Sequence, residues 1–193
     1  PLKVYAGDIN DQTEADPDSP CEIAITGARN GRFSGKVIVT ATQAIEGLKA
    51  TMSDLKQDGA AIPASAVTVR YAVAWEEAVG SWHRPVGRDI LLSAPPEGQA
   101  TIPVWVTVSV PTEAKAGTYT AQLTVAAAGA DPVRVPVTLR VQDWTLPDPQ
   151  KYATWIELVQ SPDTLATEYD VPLWSEKHWA MIARSNWFLP LAR

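Results

Sequence analysis

From residue 22 to 142 apolar side chains recur at every second position. Ile23 and Ile25 alternate with Ala24 and Thr26, and Val37 and Val39 with Ile38 and Thr40. Val67, Val69, Tyr71, Val73 and Trp75 alternate with Thr68, Arg70, Ala72 and Ala74. The same spacing governs Val104 to Val110, Tyr119 to Val125 and Val133 to Val141. Successive side chains of a strand point to opposite faces, so each run lays one apolar row on a core and one polar row in water. Half-buried strands of this kind belong to antiparallel sheets, because strands covered on both faces read as unbroken apolar runs. The pattern predicts a mainly β chain: an antiparallel two-sheet β-sandwich, immunoglobulin-like in general architecture, over residues 20–145. Val104, Val106, Val108, Leu123, Val125, Val135, Val137 and Leu139 are the expected core.

Turn residues agree with these runs. Gly129-Ala130-Asp131-Pro132 should close a hairpin, Pro111 should end a strand, and Ala116-Gly117 should begin the next. Pro136 cannot donate to a ladder, so its strand is expected at an edge or with the prolyl nitrogen facing solvent. Residues 76–100 form a long excursion with one short apolar piece, Ile90 to Leu92, and loops of this length often bind or dock. Leu146-Pro147-Asp148-Pro149 then reads as a stiff, extended linker, placed at 146–152. Beyond it the period changes. Ala153 to Val159 suits a strand, Ser161-Pro162 opens a short helix toward Tyr169, and Ser175 caps a second helix. Trp174 and Trp179 are spaced as a hydrophobic staple, and Trp179, Ile182 and Ala183 continue a helical stripe. Residues 153–193 therefore read as the beginning of an α/β domain cut short, and residues 1–19 as an acidic lead-in.

Composition narrows the function. With 16 basic and 22 acidic residues the formal charge is −6, which opposes nucleic-acid binding, since that needs a basic face to displace counterions. No apolar run is long enough for a membrane helix, so membrane insertion is not expected. The chain begins at Pro1 with no leader ahead of it, the mark of a processed or trimmed piece, which leaves export of the parent open. Cys21 is the single cysteine, which removes any intrachain disulfide or zinc cluster, and His83 and His178 are far apart. Asp8, Asp11, Glu14, Asp16 and Asp18 invite a calcium reading. The spacing from Asp8 fails it, with Thr13 where the loop needs Gly and Ser19 where it needs Glu. No metal and no cofactor are expected.

Catalytic signatures are absent as well. The chain has no GxSxG elbow, and Ser81-Trp82-His83 lacks a companion acid at a motif spacing. Neither GxGxxG nor GxxxxGK[ST] occurs. Glu76 and Glu77 are adjacent, and on a strand they would point to opposite faces and could not flank one bond. Catalytic residues: none. The ligand-binding candidates are Trp82, His83 and Arg84, because an exposed indole stacks on a sugar face while Arg and His donate to hydroxyls. The competing expectation is that Trp82 packs under its own loop or toward the post-linker segment. Trp75 and Trp105 suit the sandwich core or an interdomain contact, and Trp144, Trp155, Trp174, Trp179 and Trp187 suit an aromatic wall between domains or the face of a sugar cleft in the rest of the second domain.

Three stretches carry a family resemblance: Ala28-Arg29-Asn30-Gly31-Arg32-Phe33-Ser34, Val110 through Gly117-Thr118-Tyr119, and Val141-Gln142-Asp143-Trp144-Thr145-Leu146-Pro147. With Ser53-Asp54-Leu55 and Ala66 to Tyr71 between them, they resemble the N-terminal β-sandwich region of glycoside hydrolase family 123. The tail from Ser161-Pro162-Asp163 to Val171-Pro172-Leu173-Trp174-Ser175 resembles the entry to that family's TIM barrel. The resemblance implies a non-catalytic module of a secreted bacterial, N-acetylhexosaminidase-like protein, located outside the cell, in the periplasm or at the cell surface. Its implied partner is its own C-terminal barrel. The alternatives are a stand-alone carbohydrate-binding module with a glycan as partner, or a structural docking module of a cell-surface assembly. The family's substrate-assisted mechanism uses an adjacent Asp-Glu pair, and this sequence has no Asp-Glu dipeptide. No catalytic residue carries over, so the fragment should be inactive even if its parent is a glycoside hydrolase.

Overall fold

A computed structural model describes residues 1–9, 21–74, 89–153 and 162–184. The chain divides into two compact units, Pro1–Leu146 and Pro147–Arg193. In the first, the predicted alternation becomes two facing sheets. One is five-stranded, in the order β1 (Lys3–Gly7), β3 (Gly31–Thr40), β9 (Thr101–Val110), β7 (Val67–Ala74), β8 (Asp89–Leu92). The other runs β2 (Ile23–Arg29), β11 (Val133–Thr145), β10 (Gly117–Ala126), β5 (Leu55–Gln57), β6 (Ala60–Ile62), with β4 (Lys49–Met52) also on β10. The eight expected core residues are all buried, none more than 1% exposed. Ile23, Ile25, Val37, Val39, Leu55, Ile62 and Ile102 complete the layer between the sheets.

Polar groups tie this apolar core at a few points. The Tyr71 hydroxyl on β7 accepts the Ala50 N–H of β4 at 2.9 Å, a buried bond from one sheet to the other. Tyr119 is buried, and its hydroxyl donates to the Lys115 carbonyl at 3.0 Å, four residues upstream, as in the tyrosine corner of immunoglobulin-like sandwiches. Between β4 and β5 the ladder breaks at Ser53, which repairs it. Its N–H donates to the Gln122 carbonyl and its Oγ accepts the Gln122 N–H, both at 3.0 Å.

Several expectations need correction. Lys3–Gly7 is no lead-in but a strand, antiparallel to β3. Among the described residues every strand pair is antiparallel except β2 with β11, which run parallel, and alternation alone cannot reveal strand direction. Pro136 lies within an interior strand, yet the β2 pairing starts only at Val137, so the proline stands just beyond the neighbour's reach. Trp105 alternates with the core valines of β9 and turns to the outer face, its ring 5.4 Å from Lys36 Nζ. Lys36 itself is only 2% exposed. The linker is not extended throughout, since Pro149–Lys151 forms a 3₁₀ turn closed by Lys151 N–H donating to Asp148 O at 2.7 Å. Trp75 and the acidic residues from Asp11 to Asp18 lie outside the described residues.

In the second unit, α1 (Asp163–Glu168) begins one residue later than expected, with Pro162 at its N-cap and no side-chain cap bond, whereas α2 (Glu176–Arg184) follows the predicted Ser175 cap. Pro162 stands one position before α1, and the Ser175 Oγ accepts the His178 N–H at 3.2 Å. The Trp174 and Trp179 rings lie 5.3 Å apart, as a staple requires. The stripe differs from expectation. His178 and Ile182 are buried, whereas Trp179 is 55% exposed and Ala183 faces outward. His178 turns inward because both ring nitrogens find backbone partners. Nδ1 accepts the Trp174 N–H at 3.0 Å, which makes Nε2 the protonated nitrogen, and it donates to Pro162 O at 2.9 Å. That pairing holds Trp174 at φ 61°, a left-handed conformation costly for a bulky residue.

Two measurements check this account. Gly27 leaves space for the Phe33 ring, which a Cβ would overlap, so Gly27→Ala should cost about 1–3 kcal/mol in a denaturant melt of the sandwich. His178→Ala should cost about 2–4 kcal/mol, since it leaves a cavity and two unpartnered backbone groups. Its loss should appear as faster hydrogen exchange in α1 and α2 with β9–β11 protection unchanged.

Candidate functional site: the strand-to-linker clamp

Trp82, His83 and Arg84 lie outside the described residues, as do Glu76 and Glu77. Among the described residues no group of three or more His, Cys, Asp or Glu side chains is placed to hold a metal, and no helix is long and apolar enough to cross a membrane. Cys21 is partly buried, and burial pushes its thiol above the usual range, which disfavours a nucleophilic thiolate. An open groove of about 500 Å³ runs between Ala44–Leu48 and Pro95–Gly98. Among the described residues its ionisable lining side chains are Glu46 and Glu97, with no side-chain donor opposite them.

Among the described residues, a connected set of side-chain bonds lies where the last strand of the sandwich ends. Three sequence stretches far apart in the chain converge there: Arg29-Asn30-Gly31, the loop from Pro111 to Ala116, and Asp143 to Leu146. Asn30 sits at φ 60°, a conformation that asparagine tolerates better than most residues, and it turns the chain from β2 into β3. Its N–H donates to Val110 O at 3.0 Å, and its Nδ2 donates to Leu146 O, also at 3.0 Å. The Leu146 N–H donates back to Arg29 O at 3.0 Å, so both backbone groups of Leu146 are held by one corner. Thr112 Oγ1 lies 3.4 Å from Asn30 Oδ1, a long bond.

Arg29 closes the other side. Its Nε donates to Ala114 O at 2.8 Å, and its Nη2 pairs with Asp143 Oδ1. The Asp143 side chain is largely exposed, so that pair contributes little, and the Ala114 bond is the stronger constraint. Gly31 is needed for contact: a Cβ there would stand 2.7 Å from Leu146 Cδ1. The Leu146 side chain is thereby seated against the corner, one residue before Pro147. Trp144, two positions earlier, leaves half its surface exposed. Sequence reading singled out these stretches without their shared purpose. The signal was Asn-Gly between two apolar runs, which marks a turn but not the strand end it will grip.

Comparison with known proteins fits this architecture. Residues 11–127 match the family model described as the glycoside hydrolase 123 N-terminal domain. A family 123 glycoside hydrolase from Clostridium perfringens, studied for glycolipid glycan hydrolysis, superposes with a TM-score of 0.66 at 16% identity, covering 94% of this chain and 34% of that one. The chain thus spans about a third of the length of that enzyme. Weaker likenesses include the periplasmic chaperone SfaE (TM-score 0.37, 7% identity, 78% of this chain and 61% of that one). The N-terminal domain of PorA is another (TM-score 0.31, 12% identity, 74% and 98%). No curated protein matches the chain. With more than half its length matched by the family model and its fold shared with a family 123 enzyme, this chain belongs to the glycoside hydrolase 123 N-terminal domain family.

Proposed function

We propose that this chain is the non-catalytic N-terminal sandwich of a secreted bacterial glycoside hydrolase of the N-acetylhexosaminidase type, and that it supports and docks the catalytic barrel. The observation that carries this reading is the clamp: both backbone groups of Leu146 are bonded to Arg29 and Asn30 immediately before Pro147. A linker whose preceding residue is bonded to a rigid corner starts from a fixed point on the sandwich. Pro147 and Pro149 stiffen the next step, and the 3₁₀ turn at Pro149–Lys151 shortens it. The family membership supports a catalytic partner, as does the much greater length of the C. perfringens enzyme. An extracellular, periplasmic or cell-surface location follows from the same reading.

Two experiments test it. Asn30→Ala loses the Leu146 O bond and puts alanine at φ 60°, for a cost of about 1–3 kcal/mol. In the parent protein it should raise the rate of proteolysis between Pro147 and Tyr152 and lower the temperature at which glycosidase activity is lost. Unchanged activity and inactivation temperature, with the linker demonstrably cleaved faster, would remove the supporting role. The 193-residue chain alone should show no hydrolysis of aryl N-acetylhexosaminides above background, since it carries no Asp-Glu pair. Turnover abolished by a point substitution in this chain would overturn the non-catalytic reading.

A further inference from the structure

The clamp is built on a chemically fragile pair. Asn30-Gly31 sets a side-chain amide that can be lost beside the neighbour that hinders its loss least, because glycine has no side chain to block its own nitrogen and has the widest backbone freedom. Packing and hydrogen bonding fix both residue types here. Asn30 holds the left-handed turn at φ 60° and donates its Nδ2 to Leu146 O at 3.0 Å. A Cβ on Gly31 would stand 2.5 Å from Phe33 Cε2 and 2.7 Å from Leu146 Cδ1. The atom that grips the strand end is thus also the leaving group of a reaction that this dipeptide undergoes without a catalyst.

We infer that Asn30 is a deamidation site guarded by the clamp, and that its modification loosens Leu146 irreversibly. In the reaction, solvent base takes the Gly31 amide proton and the nitrogen attacks Asn30 Cγ. The Cγ–Nδ2 bond breaks, and ammonia leaves with a proton from water. Water then opens the five-membered imide, which leaves aspartate or isoaspartate at position 30. One water is consumed, one ammonia is released, and no electrons are transferred. Ring closure requires the side chain to swing away from Leu146 O and the Gly31 nitrogen to turn toward Cγ. Gly31, however, is registered against Val110 in the β3–β9 ladder, so the closed clamp forbids that geometry and a local opening permits it. The Thr112 bond to Asn30 Oδ1 is long and lies at the surface, so it resists the swing weakly and leaves water access. Aspartate tolerates a left-handed φ, yet a carboxylate has no N–H and sets an anionic oxygen against Leu146 O. Isoaspartate goes further and adds a carbon to the main chain at the corner itself. Either product leaves Leu146 with its N–H bond to Arg29 O but without the bond to its carbonyl. The inference rests on the clamp alone and not on the presence of a catalytic partner.

The test incubates the 193-residue chain at mildly alkaline pH, with and without urea. After cleavage at glutamate, mass spectrometry follows the amide-to-acid conversion in the peptide Ile23–Glu46, whose single asparagine is Asn30. Conversion in the folded chain should be at least about tenfold slower than in urea. Leu146→Ala removes the side chain seated against Gly31, so it should narrow that gap while β9–β11 keep their hydrogen-exchange protection. The converted chain, separated from the unconverted one, and Asn30→Asp made directly should both be cut faster after Lys151 by a lysine-specific protease, since Lys151 closes the 3₁₀ turn just beyond the clamp. Equal rates with and without urea would overturn the guarding role, and absence of conversion in urea would overturn the site. Unchanged cleavage after Lys151 in the converted chain would overturn the loosening. None of these readouts uses glycosidase activity, so their failure leaves the proposed function standing, and an inactive parent protein leaves this inference standing.

Discussion

At Asn30 the chain passes from one sheet to the other through a single left-handed residue, and much of the sandwich's layout follows from that corner. A hairpin at Asn30-Gly31 would have paired β2 with β3 in one sheet. Because the chain crosses over instead, β2 joins the facing sheet and lies parallel to β11, the last strand. The second and last strands are thus side by side. The end of β11 arrives next to the corner that began the arrangement, where Arg29 and Asn30 find Leu146 within reach. One local conformation accounts for the parallel pair, the place of β2 at the end of the six-stranded sheet and the clamp on Leu146.

The core that this corner organises is built from small β-branched and aliphatic residues, with only two phenylalanines in the whole chain. Valine rows on β9 and β11 fill the space between sheets because branched side chains pack well on a pleated surface and lose little rotamer freedom there. The tyrosines have other duties. Tyr71 spans the sheets to Ala50, and Tyr119 secures the loop that Arg29 also grips at Ala114. The loop from Pro111 to Ala116 is therefore held from the core side and from the corner side. A rigid loop gives Arg29 a fixed acceptor, which a mobile one could not.

The helical unit reaches order by a different route. α1 and α2 are short, and helices of this length gain little from propensity alone. Their connection is fixed by His178, whose two ring nitrogens bridge Pro162 and Trp174 while Ser175 caps the helix beside it. A buried imidazole with both nitrogens satisfied sets its own tautomer and holds the loop around it. The same bonds hold Trp174 at its left-handed φ.

Much of this was written in the sequence. Period-two alternation named the strands and the core rows, the turn residues named the β10–β11 hairpin, and Ser175 with Trp174 and Trp179 named the second helix start and its staple. These are local signals, each complete within a few residues, and local sterics and solvation decide them. Other features depended on which distant segments meet. Alternation is the same for parallel and antiparallel neighbours, so β2 gave no sign of its partner. Lys3–Gly7 is too short to announce a strand without β3 beside it. His178 looked like an isolated histidine because its partners are backbone groups, which have no side-chain signature. Arg29, Asn30 and Leu146 stand in stretches that sequence reading marked as familiar, yet their union required the chain to cross between sheets. That crossing was decided by the tertiary structure, since a left-handed asparagine before glycine permits a hairpin or a corner. Only burial of both apolar rows against each other selects the second.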